Sequence, residues 1–166
     1  MKKIIFVILV LVNVCLASNS YGLKLQLVVP DVYQTSIGFN GFALVEINKL
    51  VYFYPNLDFW FSSDHNYYDR HYYYYVDQNV RVMSFNIDFA VMLPGRTMRP
   101  YFGLGLAPVI GWGNWYYDER YNECEAAMNL FCGLKLPIGS QRLFFELRGQ
   151  FANQFSSLKM CFGISF

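Results

Sequence analysis

The chain has 166 residues, which is enough for one domain of ordinary size. Hydrophobic residues make up 55% of it and aromatic residues 20%, but charged residues only 15%, so a water-covered surface over the whole molecule is not expected. The 13 basic and 12 acidic residues nearly balance, and no polyanion-binding signature results, which argues against nucleic acid as a partner.

The N-terminus has the pattern of a secretory signal peptide. Two lysines precede an apolar run at 4–16, which is too short to span a bilayer as a helix, since that needs about 20 residues. Small residues follow, and we place cleavage after Ala17, leaving a position as late as Gly22 open. We therefore expect residues 1–17 to be removed and residues 18–166 to form one domain. An uncleaved N-terminal anchor is the alternative.

Alternation of apolar and polar residues with a period of two recurs along the mature chain and predicts β-strands. It is clearest in the last two segments, Leu143 to Phe151 and Leu158 to Phe166. The expected strands, in chain order, are 23–29, 35–46, 49–61, 77–92, 98–113, 123–137, 141–154 and 156–166.

The connections between these strands alternate in length. Turn sequences stand at Asn48-Lys49, 94–97 and 139–141, and longer polar or aromatic links stand at 30–35, 62–76 and 115–122, with a brief one around Asn153. This alternation, with an even number of strands, predicts an all-β fold, an eight-stranded antiparallel up-and-down barrel with both termini at the end that carries the short turns.

The composition of the two strand faces predicts that the apolar face points outward into a membrane. The polar face is rich in Gly, Asn, Ser and Ala, whereas a water-facing surface carries many more charges. The apolar face consists largely of Phe, Leu, Ile and Met, which would crowd the inside of a narrow barrel. Tryptophans near strand ends, such as Trp60 and Trp112, suit an interfacial aromatic girdle. A soluble periplasmic ligand-binding barrel, with the faces exchanged, is the alternative.

Two stretches resemble small bacterial outer-membrane β-barrel domains of the OmpA and OmpX type. The last strand ends on the aromatic Phe166, and residues 99–106, RPYFGLGL, are similar to the PYxGxGxG strand of those barrels. The resemblance implies a transmembrane barrel in the bacterial outer membrane, in contact with its lipid and inserted by the barrel-assembly machinery, which reads the strand ending in Phe166. Unlike OmpA, the chain is not expected to carry a peptidoglycan-binding domain. The resemblance implies no single activity.

Charged residues with the inward phase are expected to fill the barrel. An eight-stranded barrel is just wide enough for its side chains, so a general porin is not expected. An unpaired buried charge is costly, and these residues should therefore pair, with Asp88 or Asp58 as the partner of Arg148. A gated ion path or a catalytic carboxylate is the alternative use. The inward charges are Lys24, Asp58, Asp88, Lys135, Glu146, Arg148 and Lys159.

The link at 62–76 is the best candidate for a surface-binding site. It holds both histidines of the chain and a group of tyrosines, whose rings offer contact area at low entropy cost. Its last tyrosines, from Tyr72 to Tyr75, have a second interpretation as the aromatic start of the fourth strand. The candidate binding residues are His65, Tyr67, Tyr68, His71 and Tyr72, followed by Trp115 and Tyr116 in the next long link.

The leading functional hypothesis is a monomeric, non-enzymatic outer-membrane barrel with a structural role, or one that binds an unidentified extracellular ligand. An outer-leaflet lipid-modifying enzyme, like a lipid A acyltransferase or deacylase, is the alternative, because Ser, Asp and His occur together in 62–76. That segment has no H-x-S spacing, and nothing fixes a metal geometry there. No cofactor or metal is expected. Cys124, Cys132 and Cys161 are interpreted as small apolar residues, too far apart to form disulfides.

Overall fold

The computed structural model describes residues 20–31, 34–68, 75–115 and 119–166, with side chains except at 63–68, 75–78, 114–115 and 119–121. The expected signal peptide, residues 1–17, lies outside the described residues. The described part of the chain contains no helix that is long and apolar enough to cross a membrane.

Eight strands follow one another along the chain and close into a barrel. Each pairs antiparallel with its sequence neighbour, and the last pairs with the first. The predicted eight-stranded antiparallel barrel is therefore confirmed. The strands are β1 Ser20–Pro30, β2 Ser36–Glu46, β3 Val51–Tyr68, β4 Tyr75–Met92, β5 Arg99–Trp115, β6 Glu119–Ile138, β7 Gln141–Phe151 and β8 Ser157–Ser165.

Short connections gather at one end of the barrel, which we call the turn end. They join β2 to β3, β4 to β5 and β6 to β7, and the start of β1 and Phe166 lie beside them. The β6–β7 turn has only two residues, and its Gly139 adopts a φ of 61°, which suits a tight hairpin turn. We call the opposite end of the barrel the loop end.

Two connections that the sequence predicts as long loops are mostly strand. β3 continues to Tyr68 and β4 begins at Tyr75, with a register shift between Asp64 and Tyr67, so the prediction of a loop at 62–76 is wrong. The prediction of a long link at 115–122 is wrong for the same reason, since β6 already begins at Glu119. Tyrosine favours strands, and a hairpin that is polar on both faces has no apolar alternation to reveal it.

Side chains alternate between an apolar outer face and a largely polar inner face, as the strand pattern predicts. Trp60 is an exception to the girdle interpretation, because it is fully buried inside the barrel. It has the same inward phase as Asp58 and Ser62 on β3, so its position near a strand end does not place it outside. Trp112 does lie on the outer face, with its ring centroid 6.2 Å from that of Phe59.

Candidate functional site

The barrel interior is built in three layers between the loop end and the turn end. The loop-end layer is apolar and consists of Val28, Trp60, Val80, Val82, Ala107, Val109, Ala127 and Phe155. The turn-end layer is mostly aromatic and consists of Phe42, Leu44, Tyr52, Tyr54, Ala90, Met92, Tyr101, Phe131 and Phe144. Between them lies a charged layer, which holds Lys24, Arg148, Lys159, Asp58, Asp88 and Glu146.

Ion pairs connect the charged layer into chains. Arg148 lies between two carboxylates, with Nη1 at 2.6 Å from Asp88 Oδ2 and Nε at 2.9 Å from Glu146 Oε1. Lys24 Nζ lies 2.6 Å from the other oxygen of Glu146, and Lys159 Nζ lies 2.7 Å from Asp58 Oδ2. Three cations thus face three anions, and the fully buried layer carries no net formal charge, which is the condition under which buried ions are tolerated.

Neutral side chains also donate hydrogen bonds to these carboxylates. Asn56 donates to Asp88 Oδ2 at 2.7 Å, and Asn129 donates to Asp88 Oδ1 at 3.1 Å. The hydroxyls of Tyr101 and Tyr54 donate to Glu146 Oε2 at 2.9 and 3.1 Å. Hydrogen bonds to ionised carboxylates are stronger than neutral ones, so the layer is held by directional contacts as well as by charge.

The structure brings six of the seven inward charges that the sequence predicts into this one layer. Arg148 contacts Asp88, one of its two expected partners, whereas Asp58 is paired with Lys159 instead. Lys135 is buried apart from them at the turn end, with Nζ 5.1 Å from the centroid of the Phe144 ring.

Phe155 seals the loop end, which sequence reasoning missed. It lies in the β7–β8 connection and is fully buried in the loop-end layer. Glu125 on β6 holds this connection in place, since its carboxylate accepts the backbone N–H groups of Asn153, Gln154 and Phe155 at 3.0, 3.1 and 2.7 Å. The only sequence signal was an aromatic residue inside an otherwise polar turn.

Inward glycines on β5 make room for large side chains of neighbouring elements. A Cβ at Gly103 would stand 2.4 Å from the Phe131 ring, and one at Gly111 would stand 2.0 Å from the Phe155 ring. The glycine repeat in 99–106 therefore has a packing reason, because the barrel is too narrow for side chains from both partners.

Comparison with known proteins supports this fold through structure alone. No protein-family profile and no curated protein sequence matches the chain. Neisserial surface protein A superposes with a TM-score of 0.67 at 9% identity, over 88% of this chain and 93% of that one. The chain has the fold of the small outer-membrane β-barrels. The resemblance to the OmpA and OmpX type is thus confirmed at the level of the fold.

Two further small outer-membrane barrels agree with this assignment. The N-terminal barrel of Pseudomonas aeruginosa OprF has a TM-score of 0.57 at 18% identity, over 90% of this chain and 97% of that one. Yersinia pestis Ail, in complex with the heparin analogue sucrose octasulfate, has a TM-score of 0.59 at 13% identity, over 89% and 95%. All three identities are low, and what they share with this chain is the barrel.

The interior of this small outer-membrane barrel fold is arranged as a plug. Each carboxylate of the charged layer is held by a cation and by at least one neutral donor, and packed layers lie on both sides. Among the described residues no group of three or more potential metal ligands occurs. Cys124 and Cys132 are free and exposed on the outer face of β6, and Cys161 is free and buried.

The candidate surface-binding residues fall in the least described part of the barrel. His71, Tyr72 and Tyr116 lie outside the described residues. For the four others the structure describes the backbone but not the side chains. Three of them lie on β3 and one at the end of β5, namely His65, Tyr67, Tyr68 and Trp115.

Proposed function

We propose that the chain is exported and that its barrel lies in the outer membrane of a bacterium. The supporting observation is its inverted polarity, with ion pairs inside and apolar side chains outside, such as Leu104 and Leu106, which are 62% and 67% exposed. In water an apolar face on every strand would be unfavourable, whereas hydrocarbon accepts it, and a closed barrel leaves no unpaired strand edge. A soluble ligand-binding barrel requires the opposite arrangement.

The position of β1 supports export with cleavage after Ala17. β1 begins at Ser20, so this cleavage would leave the strand whole. Cleavage after Gly22 would remove three strand residues that pair with β2, and Gly22 also pairs with Ser165 on β8. The earlier position therefore preserves the seam at which the barrel closes.

For its role, we propose a structural or surface-binding barrel without enzymatic activity. Strands β3 to β6 have 18, 18, 17 and 20 residues, whereas a membrane-spanning strand needs about 9–11. Strands β1, β2, β7 and β8 have only 11, 11, 11 and 9 residues. Two adjacent hairpins thus extend beyond the loop end on one side, and this projection carries the proposal, because it presents a surface on a rigid scaffold.

The charge of the projecting strands bears on the kind of ligand. Their loop-end portions contain five acidic residues, Asp64, Asp77, Glu119, Glu123 and Glu125, against two basic ones, Arg81 and Arg120. A polyanion such as the heparin analogue bound by Ail is therefore a poor fit for this chain. A neutral glycan or a cationic protein surface fits better.

Membrane location gives the first prediction. In the organism that produces it, the mature chain should begin at Ser18 and sediment with the outer membrane in a density gradient. Unboiled samples should migrate differently from boiled ones on SDS gels, because a closed barrel resists detergent unfolding. N-terminal sequencing checks the cleavage site. Recovery in the osmotic-shock supernatant without a heat-shifted band would reject the proposal.

Truncation of the β3–β4 hairpin gives the second prediction. Asp64 and Gln78 are cross-strand partners, so replacing residues 65–77 with Asn-Gly closes the hairpin there with a two-residue turn. The heat-shifted band should persist, and cells should lose binding to those glycans or matrix proteins that the parent binds in a panel.

A matched control shortens the neighbouring hairpin. Gly113 and Tyr121 are also partners, so residues 114–120 can be replaced with Asn-Gly in the same way. This control should keep any binding that depends on the β3–β4 hairpin. Equal binding by the first variant and the parent would exclude that hairpin as the site. A changed lipid A acylation pattern in cells lacking the protein would instead favour the enzyme alternative.

A further inference from the structure

Three basic side chains meet on the inner face of the barrel at the turn end. Arg99 on β5 is the cross-strand partner of Lys135 on β6. On β7 the partner of Lys135 is Phe144, and Arg142 stands two positions before it. Side chains two positions apart on a strand point to the same face, so Arg142 has the inward phase of the buried Phe144. Arg99 has the phase of the buried Tyr101 in the same way, and the three cations therefore project into one mouth of the barrel.

These three residues, which we call the basic cluster, are not neutralised as the charged layer is. Lys135 is only 4% exposed, and both arginines repel it. Glu46 at the end of β2 attracts it, but the turn-end segments, residues 46–50, 93–99 and 135–142, contain no other acidic residue. Within the described residues the side chains of the basic cluster form no ion pair and no hydrogen bond. Because a buried cation without a partner is unfavourable, the cluster is suited to receive an anion.

Two buried hydroxyl groups belong to the same inner rim. Ser165 on β8 is the cross-strand partner of Arg142 and is 1% exposed. Ser20 begins β1 with the same inward phase, two positions before Gly22, which pairs with Ser165. In the part of the chain that the structure describes, neither Oγ has a hydrogen-bond partner. Since burying an unsatisfied hydroxyl is costly, these groups add hydrogen-bond donors to the cations beside them.

The mouth is closed on its inner side and open on its outer side. The rings of Phe144 and Tyr101 lie in the turn-end layer below, and Lys135 Nζ is 5.1 Å from the centroid of the Phe144 ring. Above Lys135, Arg99 is half-buried and Arg142 is exposed. The arrangement is a shallow cup that leads to solvent and not to the charged layer. Lipid surrounds the outer wall of a membrane barrel, so an occupant of this inner rim comes from the water.

We propose that the cup binds the phosphate group of a small water-soluble molecule, held by the basic cluster and by the Ser165 hydroxyl. A phosphate monoester carries about two negative charges near neutral pH, which matches three cations facing the single carboxylate of Glu46. Arginine donates paired hydrogen bonds to phosphate oxygens, and lysine adds a point charge. The cup lies opposite the projecting hairpins, so the inference goes beyond the binding role proposed for them and needs only the closed barrel.

Calorimetric titration with inorganic phosphate tests the proposal. The barrel is purified from the producing cells in a neutral detergent and titrated at constant ionic strength, with chloride as the background anion. The variants are Lys135→Gln/Arg142→Gln, which removes two cations of the cluster, and Ser165→Ala, which leaves the charge unchanged. Lys49→Gln is the matched control, because Lys49 is an exposed cation at the same end, in the β2–β3 connection across the barrel from the cluster.

We expect the parent and Lys49→Gln to bind phosphate with equal affinity. Lys135→Gln/Arg142→Gln should bind it at least about tenfold more weakly, and Ser165→Ala about fivefold more weakly, as the loss of charged and neutral donors implies. Phosphate should also raise the urea midpoint of the parent but not that of the double variant.

Two results would overturn the proposal. One is equal affinity of the parent, the double variant and Ser165→Ala, or no phosphate binding by a parent that still shows the heat-shifted band. The other is loss of phosphate binding when the barrel is placed in nanodiscs that contain phosphatidylglycerol, which would identify a lipid headgroup as the occupant. Heat-shifted migration of each variant checks its folding, and Ser165→Ala alone carries the test if the double variant does not fold.

Discussion

Arg148→Ala is expected to lower the free energy of unfolding by about 3–5 kcal/mol, because it leaves a buried carboxylate without its cation. Asp88 would lose its only ion pair among the described residues, while Glu146 would keep Lys24. The guanidinium also lies 4.4 Å from the centroid of the Phe131 ring, so its packing would be lost as well. Urea unfolding of the protein in lipid vesicles, followed by tryptophan fluorescence, measures the change.

Two further variants separate the charge effect from simple truncation. Arg81→Ala removes an exposed arginine and should change stability by less than about 0.5 kcal/mol. Arg148→Met combined with Asp88→Asn removes one charge of each sign, so the layer becomes neutral again and part of the lost stability should return. If Arg148→Ala unfolds at the same urea concentration as Arg81→Ala, the ion pairs do not hold the inserted barrel together.

Phe155→Ala is expected to lower the free energy of unfolding by about 3–5 kcal/mol, since it leaves a cavity in the loop-end layer. Gly111→Ala should lower the free energy of unfolding by about 1–3 kcal/mol, because the new Cβ would stand 2.0 Å from the Phe155 ring and must displace the ring. The same urea titration measures both. Gly41→Ala is the matched control, because its Cβ would meet only Leu23, at 3.8 Å, and should be close to neutral.

The double variant Gly111→Ala/Phe155→Ala tests whether the two residues act on each other. With the ring absent, the new methyl group no longer clashes and fills part of the cavity. The combined loss should therefore be smaller than the sum of the two single losses by about 0.5–3 kcal/mol, the usual coupling between contacting residues. Strict additivity would mean that Phe155 does not lie over Gly111 in the inserted protein.

The strand count, the order of the strands and the direction of each face could be predicted from the sequence. Alternation with a period of two is a local property, and Leu143 to Phe151 reveals both the strand and its apolar face within a few residues. The alternation of short and long connections then predicts that each strand pairs with its sequence neighbour in an up-and-down barrel. The alternation of residues also groups the interior charges on one face, and the composition of the two faces then predicts that this face points inward.

Partners across the barrel could not be predicted, because they depend on the register between strands. Asp58 and Asp88 are equivalent in phase, and only the packing of β3 and β4 against β7 and β8 places Lys159 at one and Arg148 at the other. The inward position of Phe155 depends on Glu125, far away in the sequence. The projecting part of β3 and β4 was missed because two polar faces give no alternation to detect.

The pairing of β1 with β8 has a consequence for how this barrel forms. All other pairs join sequence neighbours, but Gly22 meets Ser165 and Leu27 meets Met160, almost the full length of the domain apart. Closing so long a stretch of chain carries a large entropic cost, and contacts of this range slow folding. Until the last strand has arrived, the first and seventh strands present open edges that can join other chains. Pairing of the nine-residue β8 with β1 therefore removes both open edges and converts an association-prone sheet into a closed barrel.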